Sequence, residues 1–170
     1  MTSGSSHRPR ACHDADFVVS LRPVAVSVIE APDLRGMRVL VVDDDADNCD
    51  VLATILEHNG ALVATAQSAA DALSLFETQC PDVLISDIGL PGEDGFALLR
   101  KVRSLSASRG WDVPAIALTG YASLEGDPGG RCDGFQAQLT KPVTLDEVLI
   151  AISRVIEWPA AGAARRKLAG

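Results

Sequence analysis

Residues 38–45 read RVLVVDDD, a continuous apolar run closed by three aspartates. A run without polar alternation suits a strand buried on both faces, as in a parallel sheet. Parallel sheets need long crossovers between strands, and helices usually supply them. In open sheets of that kind ligands bind beyond the carboxyl ends of the strands. Asp43, Asp44 and Asp45 would stand there if the same pattern recurs along the chain.

It does recur. After the aspartates, Cys49, Leu52, Ile55 and Leu56 fall at helical spacing over 46–59, closed by Asn59-Gly60. LVATA (62–66) is a short strand, and Ser68 caps a helix with Ala69, Ala72, Leu73 and Phe76 on one face. Pro81 ends that pattern, and DVLIS (82–86) runs into Asp87. GLPGEDG (89–95) is a loop by its Gly and Pro content, followed by Phe96, Leu99 and Val102 at helical spacing. PAIAL (114–118) ends at Thr119, and QAQLT (136–140) ends at Lys141-Pro142. Thr144 and Glu147 form a capping box before a stripe of Leu145, Val148, Leu149, Ile152 and Ile156. Strand and helix thus alternate five times, which predicts an α/β fold with a doubly wound parallel sheet.

Composition narrows the function. The length of 170 residues suits one domain with tails. Hydrophobic residues make up 47% and aromatics 4%, so the core is aliphatic. A net charge of -8 argues against non-specific binding to nucleic acid or an anionic membrane, and suits divalent cations. Cys12, Cys49, Cys80 and Cys132 form no CxxC pair, which reads as reduced thiols. No apolar stretch has the length of a bilayer span, and the polar start MTSGSSHRPRACHD lacks a signal peptide, so a cytoplasmic location is expected. Residues 1–36 are an arm and linker. Within them 1–14 read as disordered, 16–29 as an edge strand or extended segment around Pro23, and APDLRG (31–36) as linker. The domain is 37–157, and 158–170 form a flexible tail.

The polar residues at the strand ends carry chemistry. Asp43, Asp44 and Asp45 follow the first strand, Asp87 the third, Thr119 the fourth and Lys141 the fifth. Crowded carboxylates repel, and without a counter-charge one tends to hold a proton. Mg²⁺ removes that penalty, preferring a few carboxylates plus waters and phosphate oxygens. A lysine and a hydroxyl add donors for a phosphoryl group, whose transfer needs mainly positioning and charge neutralisation. Asp45 and Asp47 also suit caps of the first helix, Asp94 suits a turn, and His58 reads as a surface residue.

With VLVVDDD (39–45), SDIGLPGEDG (86–95), ALTGYA (117–122) and LTKPV (139–143) in order, residues 37–157 resemble the receiver domain of bacterial response regulators and hybrid histidine kinases. The resemblance implies a flavodoxin-like strand order 2-1-3-4-5 and a role in a two-component phosphorelay. It implies Asp87 as phosphoacceptor, charged by a histidine kinase or histidine phosphotransfer domain. It makes Asp43, Asp44, Asp87 and the backbone carbonyl of Gly89 the Mg²⁺ ligands, and sets Thr119 and Lys141 on the phosphoryl group. The Lys141-Pro142 bond would be cis. Such a module is no enzyme towards outside substrates; it assists only its own phosphorylation and dephosphorylation, and touches neither nucleic acid nor membrane directly.

Three departures stand out. Gly126, Pro128, Gly129 and Gly130 fall where the family carries its fourth helix, which predicts a shortened or irregular one, since glycine costs about 1 and proline about 3 kcal/mol there. Gln138 stands where many members carry an aromatic or His, so the usual conformational relay is expected to be altered. DADFVVSLRP ahead of LRGMRVLVVDDD resembles the junction between kinase ATP-binding domain and receiver in hybrid kinases. Two other readings compete. Asp43-x-Asp45 with a later Lys is similar in outline to haloacid-dehalogenase-type phosphatases, but no further acidic pair follows the fourth strand. A pseudo-receiver that binds a partner without phosphorylation is opposed by the intact set of acids, Thr119 and Lys141.

Overall fold

The apolar runs become the strands of one sheet: β1 (Arg38–Val42), β2 (Leu62–Ala66), β3 (Val83–Asp87), β4 (Ala115–Thr119) and β5 (Ala137–Thr140). The computed structural model describes residues 32–109, 112–120 and 134–157. All neighbouring strands pair parallel, in the order β2-β1-β3-β4-β5. Between and after them run α1 (Ala46–His58), α2 (Ala69–Gln79), α3 (Gly95–Arg109) and α4 (Leu145–Ile156). The doubly wound α/β class and the flavodoxin-like order are those expected. The expected irregular helix at 123–134, the strand at 16–29 and the tail at 158–170 lie outside the described residues, save Gly134.

Strand alternation divides the core into two layers. Val39, Val41, Val83, Ile85, Ile116 and Leu118 pack with Leu52 and Leu56 of α1 and with Val148, Ile152 and Val155 of α4. Leu40, Val42, Leu84, Ala115 and Ala117 pack on the opposite face with Phe76 of α2 and Leu98, Leu99 and Val102 of α3. The caps are those the side chains dictate. The Asp45 carboxylate accepts from Asp47 N, Ser68 accepts from Asp71 N, and Thr144 and Glu147 close a capping box.

Several boundaries differ in instructive ways. β3 begins at Val83; just before it Asp82 donates its N–H to Arg38 O at 2.7 Å while its carboxylate accepts from Arg38 N at 2.9 Å. The strand includes Asp87 as its last residue. Leu145 is 46% exposed as the first residue of α4, while Ala151 and Val155 complete the buried stripe. Leu34, within the stretch that reads as linker, is wholly buried. Its N–H donates to Asn59 O at 3.2 Å, and Gly36 N donates to Gly60 O at 3.2 Å, so the lead-in is seated on the turn between α1 and β2. At the same end of the sheet Arg103 of α3 donates to the Asp112 carboxylate, Val113 O, Gly134 O at 2.8 Å and Gln136 Oε1 at 3.0 Å. Burial pushes its guanidinium down, against the pull of Asp112. Among the described residues no helix is long and apolar enough to cross a membrane.

Candidate phosphoacceptor and metal site

Period two along the strands decides which polar residues meet. Asp43 lies two residues beyond Val41, Asp87 two beyond Ile85, and Lys141 two beyond Leu139, so all three continue the series facing α1 and α4. Thr119 is one residue out of that phase, after Leu118. It is nevertheless tied in, because Lys141 N donates to Thr119 O at 2.7 Å and Ile88 N donates to Leu118 O at 3.0 Å. The strand ends thus form one hydrogen-bonded rim.

Three groups on that rim are in contact. Lys141 Nζ donates to Asp87 Oδ2 and lies 2.6 Å from Asp43 Oδ2. Asp43 is 0% exposed, Asp87 7% and Thr119 8%, whereas Asp44 is exposed. The remaining oxygens are held by backbone and α1. Gly89 N donates to Asp87 Oδ1 at 2.8 Å; Asp45 N donates to Asp43 Oδ1 at 3.0 Å, and Asn48 Nδ2 to the same oxygen at 3.4 Å. Asp43 Oδ2 is buried without a hydrogen bond of good geometry, so its contact with the ammonium is one of charge. Burial alone would push the Lys141 ammonium down; the pull of Asp43 and Asp87 together outweighs it, and its pKa stands above the ordinary value.

The donor set fits a hard cation. Asp43, Asp44 and Asp87 each offer an oxygen, all within 4.8 Å of one another. A buried carboxylate oxygen lacking a directed hydrogen bond is what a cation would satisfy. Three carboxylates suit a hard cation better than a soft one.

Of the residues singled out from sequence, Asp43, Asp44, Asp87 and Lys141 are brought together, and Thr119 stands at the adjoining strand end. Gly89 follows Asp87 with its N–H turned onto that carboxylate. Asp45 is the cap of α1, the alternative weighed for it. Asp94 accepts from Ala97 N at 2.7 Å in the first turn of α3, and His58 is exposed. Gln138 is half-buried on β5, opposite Ala117 of β4. The Lys141-Pro142 bond is cis. Sequence reasoning missed three neighbours of the site. Asn48 touches Asp43, and Cys49 Sγ–H donates to Asp43 O at 3.4 Å. Burial and then the nearby Asp43 charge push that thiol up. Gly95 lies so close that a Cβ there would sit 2.3 Å from Asp87 O. Neither Cys49 nor Cys80 is in a disulfide.

A family model, the response regulator receiver domain, matches residues 39–153. The chain belongs to that family. As a receiver it is 47% identical over 110 residues to an uncharacterized 14.6 kDa protein in the sodA1 3' region of Leptolyngbya boryana, covering 65% of this chain and 82% of that one. It is 32% identical over 133 residues to the sensor histidine kinase RcsC of Salmonella typhimurium, covering 78% of this chain but 13% of the kinase. A CheY-like response regulator receiver domain from Methanospirillum hungatei superposes with a TM-score of 0.63 at 33% identity, covering 72% of this receiver and 94% of that chain. The chain is thus a receiver module of two-component systems, and it is similar to receiver segments of far longer kinases.

Proposed function

We propose that the receiver takes a phosphoryl group from the phosphohistidine of a histidine kinase or histidine phosphotransfer domain onto Asp87, with Mg²⁺ in the acidic seat. The carrying observation is the Lys141 ammonium held between Asp87 and Asp43 at the carboxyl ends of β1, β3 and β5. An Asp87 carboxylate oxygen attacks phosphorus. The phosphorus–nitrogen bond breaks, its electron pair returns to the donor imidazole, and an acyl phosphate forms. Lys141 then moves from neutralising two carboxylates to neutralising phosphoryl oxygens, and the Thr119 hydroxyl donates to another. When bound, Mg²⁺ neutralises charge on the transferring group, held by Asp43, Asp44, Asp87 and the Gly89 carbonyl.

The phosphatase reading would need Asp43 as nucleophile. It is wholly buried, with one oxygen taking two donors and the other set against an ammonium, which suits a fixed ligand better than an attacking group. On this reading the module has no outside substrate, works in the cytoplasm, and reaches nucleic acid or membrane only through partners. Incubation with radiolabelled acetyl phosphate and Mg²⁺ tests it. Label should appear on the unsubstituted chain and vanish in Asp87→Asn and in EDTA; retained label in Asp87→Asn would sink the assignment.

A further inference from the structure

Asp43 is wholly buried, and its two oxygens are held by different means. Oδ1 accepts from Asp45 N at 3.0 Å and from Asn48 Nδ2 at 3.4 Å. Oδ2 has no directed hydrogen bond and faces Lys141 Nζ at 2.6 Å. A carboxylate is planar and turns about one bond, so fixing Oδ1 fixes where Oδ2 points.

The position of Asn48 makes this grip specific. Asp45 caps α1, so Asn48 is the third residue of the helix. In an ordinary capping box that third residue is Glu or Gln, whose side chain reaches back to accept from the N–H of the cap. Here Asp43 Oδ1 already accepts that N–H, and the third residue instead donates to the same oxygen. A carboxylate at position 48 would set a like charge against Asp43, whereas an amide adds a donor without charge. Half-buried at the rim, Asn48 sits where this bond is partly shielded from water.

We propose that Asn48 is a positioning residue for the metal: its amide holds Asp43 in the rotation that turns Oδ2 into the cation seat. This rests on reading the site as an Mg²⁺-dependent receiver. Hydrogen bonds that orient ligating carboxylates matter to metal affinity, and losing one typically weakens it about tenfold or more.

The test is an MgCl2 titration of the full chain without phosphodonor, followed by NMR of the backbone amides at 43–48, with melting in EDTA alongside. Asn48→Leu keeps similar bulk, removes the donor and is a better helix former. Its Mg²⁺ Kd should rise by about tenfold, with melting in EDTA unchanged or higher. Asn48→Gln, which retains an amide, should recover part of the affinity; Asn48→Ala repeats the test if the leucine variant does not fold. An unchanged Kd in the donor-less variants overturns the proposal, as does a weakened Kd accompanied by an equal loss of stability in EDTA. Failure of the unsubstituted chain to bind Mg²⁺ overturns the reading of the site itself.

Discussion

At the scale of single residues, the site is a problem of charge. Asp43 and Asp87 are both buried and both lean on Lys141. Removing the cation from such a group leaves buried anions uncompensated, which costs far more than losing a surface pair. Lys141→Met should therefore destabilise the metal-free receiver by roughly 3 kcal/mol, the low end for a buried pair because the lysine keeps some exposure. Urea denaturation in EDTA would measure this, and added MgCl2 should recover part of the loss; a variant as stable as the parent in EDTA would contradict the account. Asp43, Asp87, Thr119 and Lys141 were legible because each closes an apolar run, and strand ends of parallel sheets gather polar groups. Asn48 was not legible. On a helix the apolar spacing marks Cys49, Leu52 and Leu56 as inward, and is silent about which polar side chain turns back over the cap.

At the scale of elements, the junction of β3 with α3 is the tightest part of the site. Gly95 N donates to Ile88 O at 3.0 Å, and a Cβ at Gly95 would meet Asp87 O at 2.3 Å and Ile88 Cα at 2.9 Å. Those are backbone atoms, so the strand end carrying Asp87 would have to move. Gly95→Ala should cost about 1–3 kcal/mol, as overpacking does, and should slow acetyl phosphate labelling of Asp87. Equal labelling rates in the variant and the parent would show that the contact does not position Asp87. The sequence marks GLPGEDG as a loop by composition, but a collision with a backbone distant by eight residues is a property of the packed turn. The one-residue shift of β3 was likewise invisible: Asp82 reads as the start of a strand, but its carboxylate takes the Arg38 N–H.

At the scale of the whole molecule, the alternation of strand and helix was readable because each element carries its own period and the crossovers leave few ways to pair. The seat of Leu34 was not, since one leucine among Ala, Pro, Asp and Gly has no period. It is wholly buried against the layer that includes Leu56 and Val155. Leu34→Ala should cost about 2–5 kcal/mol, measurable by thermal denaturation, while an effect within the range of surface changes would mark the lead-in as merely draped. That seat has a consequence for how the module is connected. The chain enters β1 at the amino edge of the sheet, and α4, starting beyond β5, packs back along the face towards the same edge. The acids stand at the other pole, a strand length of about 17 Å away. Both attachment points are therefore wired to the back of the socket. A donor fused to either must come round on a tether or belong to another molecule, and exchanging what is plugged in behind leaves the contacts of Asp87 untouched.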